Sequence, residues 1–131
     1  MEPQDLLELS ASELARKIRN REVSSRAVVD AHIAHVERVN PVLNAVVATR
    51  FDVARDEADL ADAKVARGEE LGPLHGVPCT IKECFALQGM PQASGLVARA
   101  SIRAERDAPA VGRLRAAGAI PIGVTNTSEL C

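Results

Sequence analysis

Apolar residues along the chain change their spacing from segment to segment. Ser10 and Glu13 stand three apart at the head of an apolar run, the pattern of a reciprocal capping box. A helix is predicted from there to about Asn20, with Leu14, Ala15 and Ile18 inward. Ser24 caps a second helix ending near Asn40–Pro41, whose apolar face carries Val28, Val29, Ile33, Val36 and Val39. LNAVVAT, residues 43–49, is rich enough in β-branched residues for a short strand or extended segment. Phe51, Ala54, Ala58, Ala61 and Val65 recur at helical spacings as one buried face, and Gly68 is a plausible stop. The charges between Arg55 and Arg67 read as the solvated face of that helix.

The second half reads differently. Gly72, Pro73, Gly76 and Pro78 punctuate a loop, after which Val77 to Ile81 runs as a short apolar strand ending at Lys82. Residues 85–104 have no clear period and contain Gly89, Pro91 and Gly95, which predicts an ordered loop. Asp107 is placed to cap a helix with Pro109 in its first turn, Val111, Leu114 and Ala117 inward, and Gly118 as its end. Ala119 to Val124 then reads as a second core strand, although Pro121 is unusual there. Strand, crossover, helix and strand make a parallel unit. It delivers Thr125, Asn126 and Thr127 to the same end of the sheet as Lys82, the end where ligands gather in parallel sheets.

Composition narrows the picture. Nearly half the residues are hydrophobic, yet Trp and Tyr are absent and Phe occurs twice. The core is therefore built from Ala, Val, Leu and Ile, which suits helices packed on a largely parallel sheet. A net charge of −2 with interspersed signs suggests no nucleic-acid or anionic-membrane partner. Three cysteines without a Cys-x-x-Cys pair, and no secretory or membrane-spanning run, predict a reduced, cytoplasmic setting. His32 and His35 lack a third ligand nearby, so no metal is predicted.

Chemistry concentrates at Lys82. A lysine that loses water becomes a neutral amine able to act as a general base, although local pattern alone favours a solvated charge. Alternation puts Thr80 and Lys82 on one face and Cys79 and Ile81 on the other. Glu83 is expected to be a surface carboxylate. Cys79 and Cys84 are expected to be buried structural thiols, with His75 the one imidazole near enough in sequence to activate either.

The stretch GPLHGVPCTIKECF, followed by GLVARA, DAPAVGRLRAAGAIPIGVTNTSEL and Cys131, resembles the front part of the amidase signature family. It is nearest to the fatty-acid amide hydrolase branch of the second type, in which KE follows the strand and TN-x-SELC closes the segment. The resemblance runs from about Ser10 to Cys131 and is densest after Gly72. It implies an α/β fold of which this is the incomplete N-terminal part: residues 1–70 a helical wrapping region, 71–131 the start of a catalytic core on a mixed, largely parallel sheet. It implies that Lys82 belongs to a Ser–cis-Ser–Lys triad, with Thr125 and Asn126 near the lysine and Cys131 opening the acyl-channel stretch. Lys82 should then be largely buried beside Thr125 or Asn126.

The two serines would lie in a glycine- and serine-rich segment that these 131 residues do not contain. The implied substrate is a small-molecule amide or ester, with no cofactor, and a homodimer is an option for the full-length parent. Glu83 and Cys84 depart from wider family usage and argue against the amidotransferase branch. The rival reading is a non-catalytic fragment or interaction module. A nucleotide-binding unit fits poorly, because the glycines near Lys82 follow neither a Walker nor a dinucleotide spacing.

Overall fold

The computed structural model describes residues 2–131. Its elements are α1 (Pro3–Leu6), α2 (Ala11–Arg19), α3 (Ser25–Leu43), β1 (Val46–Thr49), α4 (Phe51–Arg67), β2 (Pro78–Lys82), a 3-10 turn (Val97–Arg99), α5 (Pro109–Ala116) and β3 (Ile120–Thr125). The short α1 is absent from the periodicity because one turn of helix has too few apolar positions to show a period. It nevertheless buries Leu6. Among the described residues no helix is long and apolar enough to cross a membrane.

The helix starts follow their caps. Ser10 Oγ accepts from Glu13 N while a Glu13 carboxylate oxygen accepts from Ser10 N at 2.8 Å, and Ser24 Oγ accepts from Ala27 N. Helix α3 continues past Pro41 to Leu43, where Asn44 takes a left-handed conformation (φ 48°) and its N–H bonds Asn40 O. The Asn40 side chain then receives Val46 N and donates to Val46 O, both at 2.8 Å, and so starts β1. Asp107 does not cap α5. The N-cap is Ala108, with Pro109 following it, and Asp107 instead accepts from Gln88 N and Arg115. That carboxylate ties the preceding loop to α5, a tertiary task invisible in local spacing.

Three apolar clusters hold the layers together. Leu6, Leu14, Ile18 and Val28 join the first three helices, with Val65 and Val77 beneath them. The adjacent stripe of α3, Val29 and Ile33, meets Ala54, Ala58 and Ala61 of α4 and Ile120 and Ile122 of β3. Three alanines in a row let α4 lie close to both neighbours. Ile81 and Val124 pack with Leu87, Met90 and Val111 in the third cluster.

The sheet is mixed, in the order β1-β3-β2, with β3 antiparallel to β1 and parallel to β2. Central β3 tolerates Pro121 because the register slips there. Cys79 pairs with Pro121 and Thr80 with Gly123, a bulge at which a missing ladder donor is accommodated. Gly123 is required on the other side. A Cβ there would stand 2.5 Å from Ala48 O of β1.

Before the strands pair, the chain crosses itself. Leu74 N donates to Ala117 O, Gly76 N to Gly118 O and Ile120 N to Val77 O, at 2.9, 2.9 and 2.8 Å. Buried Ser25 locks the crossing to α3 by donating its hydroxyl to Gly76 O at 2.8 Å. Gly118 has φ +98°, and a Cβ on it would come 2.6 Å from His75 Cα. Gly118→Ala is therefore expected to destabilise the protein by about 1–3 kcal/mol. Chemical denaturation would report this as a lower midpoint at unchanged slope, and an unchanged midpoint would show that the crossing is not tight.

Candidate active site

Lys82 is the last residue of β2 and pairs in register with Thr125, the last residue of β3. The strand alternates as its sequence predicts, with Ile81 buried and Thr80 and Lys82 exposed. The ladder extends one step further, because Glu83 N donates to Thr125 O at 2.9 Å. Phe85 N then bonds Lys82 O, turning the chain sharply away from the sheet.

The position of Lys82 is as expected and its burial is not. The side chain is exposed. It emerges from a strand at the edge of the described sheet, on the face opposite the Ile81 cluster. Thr125 is half-buried beside it. Asn126 is exposed and turned to structural work: its N–H donates to Ala45 O, its Oδ1 accepts from Thr127 N, and its Nδ2 reaches toward Asn44 O at 3.5 Å.

Beyond Asn126 the chain folds back in a turn, with Cys131 N bonding Ser128 O. This brings Cys131 to Lys82, Cys84 and Thr127. The neighbouring Thr127 hydroxyl and Cys84 thiol, with the Lys82 charge adding to them, hold the Cys131 thiol below its ordinary range. The Cys84 thiol is pushed up, chiefly by the neighbouring Cys131 thiol. Lys82, Thr125 and Cys131 therefore converge, while the Asn126 side chain is engaged with its own turn and the α3–β1 connection.

Cys79 lies on the other face of the strand. Burial pushes its thiol up to about 11. His75 serves neither cysteine, because its Nε2 pairs with Ala61 O of α4 at 2.9 Å. His32 Nδ1 faces Val28 O and His35 Nδ1 faces Arg38. A cavity of about 470 Å³ bordered by Glu57, His75, Asp107 and Arg115 opens at Ile120, the opposite end of β3 from Lys82.

Glu83 is a residue whose role the sequence does not show. It is 5% exposed rather than a surface carboxylate, and it accepts from the backbone N–H groups of Ala93 and Ser94, the latter at 2.9 Å. Its partners lie ten residues downstream in a segment without periodicity, so no local signal pairs them.

The amidase family profile matches residues 27–131. This chain belongs to the amidase signature family. Fatty-acid amide hydrolase 2-A of Danio rerio is 51% identical over 135 residues, an alignment covering 96% of this chain and 25% of that protein. Fatty-acid amide hydrolase 2 of Homo sapiens is 47% identical with the same coverages. Among solved structures, a peptide amidase from Stenotrophomonas maltophilia superposes with a TM-score of 0.85 at 32% identity, covering 93% of this chain and 25% of its own. The chain thus spans about a quarter of the length of the curated relatives it matches.

The amidase-family fold therefore places the three cysteines in distinct surroundings, and thiol chemistry can read them out. At around pH 8 iodoacetamide should modify Cys131 well before Cys79, because the thiolate is the reactive form and Cys79 holds its proton until far higher pH. Mass spectrometry of the folded chain resolves the two sites. Equal rates would mean that Cys79 is not packed behind β2.

Proposed function

We propose that this chain supplies the general-base lysine of an amide hydrolase acting through a Ser–cis-Ser–Lys triad. The observation that carries the reading is the position of Lys82 at the carboxyl end of β2, in register with Thr125, with residues 127–131 returning to it. A serine supplied by the rest of the polypeptide attacks the carbonyl, the bridging cis-serine takes its proton, and the lysine receives that proton in turn. Backbone N–H groups stabilise the oxyanion, and water releases the acid. Thr125 and Asn126 support the lysine end, and Cys131 begins the wall against which the acyl group lies. The rest of the polypeptide would also cover Lys82 and take it out of water.

A fatty-acid amide is the substrate class best supported. The relatives named for that activity are 47–53% identical to this chain. The free thiols of Cys79, Cys84 and Cys131 fit a reduced cytoplasmic setting.

In the full-length polypeptide, Lys82→Ala should leave folding nearly intact and lower amide hydrolysis by ~10²–10⁴-fold, the usual effect of losing a positioned base. Steady-state assays with a fatty-acid amide and an aryl amide check this, and activity within a fewfold of wild type would assign the base elsewhere. Residues 1–131 expressed alone should hydrolyse neither amide. Ser94, Ser101 and Ser128 occupy no glycine-rich turn of the kind the triad serines require. Hydrolysis by this short chain would mean that the nucleophile lies within it.

A further inference from the structure

Three buried polar side chains stand out among the described residues: Ser25, His75 and Glu83. Ser25 and His75 each have a backbone carbonyl as partner, Gly76 O at the crossing of the chain and Ala61 O of α4. Glu83 is different in kind. It is a carboxylate placed directly after Lys82, and among the described residues no basic side chain forms an ion pair with it. Both of its oxygens are occupied, one by Ala93 N–H and the other by Ser94 N–H. The carboxylate meets the two neighbouring N–H donors with one oxygen each, whereas an amide would have a single acceptor oxygen and an NH₂ in the other place.

Those two bonds hold an unusual piece of backbone. Ser94 and Gly95 are both left-handed, at φ +52° and +72°, a conformation that a serine keeps only when its surroundings enforce it. The held loop then bears directly on the stretch that returns to Lys82. Ser94 O accepts from Leu130 N at 2.8 Å. A Cβ on Gly95 would lie 2.9 Å from Glu129 N and Cα and from Ser128 O, so the two backbones are in contact. Glu83 is tied to the site from its own backbone as well, through the bond from its N–H to Thr125 O. One continuous path therefore runs from the Glu83 carboxylate through residues 93–95 to residues 128–131, and ends with Cys131 beside Lys82.

We propose that Glu83 is a positioning residue for substrate: through the 93–95 loop it fixes residues 128–131 against Lys82, and so governs how the acyl group is held rather than the action of the base. This rests on the reading of Lys82 as the base of an amide hydrolase. Glu83→Gln keeps the size of the side chain but turns an NH₂ toward an N–H donor. Glu83→Asp keeps both acceptors on a stem one carbon shorter. Gly95→Ala attacks the same path from its far end and leaves the buried carboxylate in place.

The test uses the full-length polypeptide and two readouts. Hydrogen exchange of the amides at 93–95 and 128–131 needs no activity. It should quicken roughly tenfold or more in Glu83→Gln and Gly95→Ala, stay near wild type in Glu83→Asp, and leave residues 54–65 unchanged. In kinetics with a long-chain fatty-acid amide, KM should rise about tenfold in the first two variants with kcat within a fewfold of wild type, and Glu83→Asp should recover most of the loss. Unchanged exchange at 128–131, or a fall in kcat at constant KM, would overturn the proposal. If Glu83→Gln unfolds, shown by faster exchange at 54–65 as well, Gly95→Ala decides alone on the same two criteria. Wild-type protein without amide hydrolysis would refute the Lys82 reading, while the exchange experiment would still confirm or overturn the link from Glu83 to 128–131.

Discussion

The parallel pairing of β2 with β3 is the constraint on which the rest of this structure depends. Neither strand can find the other through a short turn, so the chain must leave, build a loop and a helix, and return in register. The return is secured before the ladder begins, where residues 74–77 cross 117–120 and Gly118 takes a conformation that admits no side chain without strain. Once that crossing forms, the register along the strands is set by side-chain alternation and by the bulge at Pro121. Lys82 and Thr125 then reach the same edge of the sheet, and Glu83 N adds a final bond to Thr125 O. Position at the site is thus a consequence of backbone pairing that starts at the far end of both strands.

The helical layer serves this arrangement from one side. Helix α3 presents two adjacent stripes, one to α2 and one to α4 and β3, and it is fixed at its start by Ser25 against Gly76. Helix α4 offers small residues, Ala54, Ala58 and Ala61, where a larger side chain would hold it off the sheet. Arg50, the residue before α4, reaches Pro121 O and Glu57, and Arg115 of α5 reaches the same Glu57. These partly buried pairs connect both helices to the bulged strand, and their value is more in orientation than in net stability.

Much of this was legible in the sequence where one local rule dominated. Apolar spacing located α2, α3 and α4, capping serines located the starts of α2 and α3, and the short apolar run between the Gly/Pro loop and Lys82 located β2 and its end. What could not be read depended on residues distant in sequence. Asp107 looks like a cap and serves Gln88 and Arg115 instead. Pro121 looks wrong for a central strand until the bulge is seen. Glu83 looks like a surface charge because its neighbour Lys82 is one, yet alternation sends it the other way, to donors in a loop with no period of its own. The expected burial of Lys82 failed for a related reason: β2 is an edge strand in these residues, and a lysine at its end is dry only if further chain packs on it.

On the function proposed above, Lys82 activates a serine lying outside these 131 residues. The most direct test is the rate at which a fluorophosphonate labels the full-length polypeptide, since that reaction consumes the activated hydroxyl itself and needs no particular amide. One serine should be labelled in the wild type, located by mass spectrometry beyond Cys131, and labelling should slow by orders of magnitude in Lys82→Ala. Labelling at an unchanged rate in that variant, or a labelled nucleophile within residues 1–131, would contradict it.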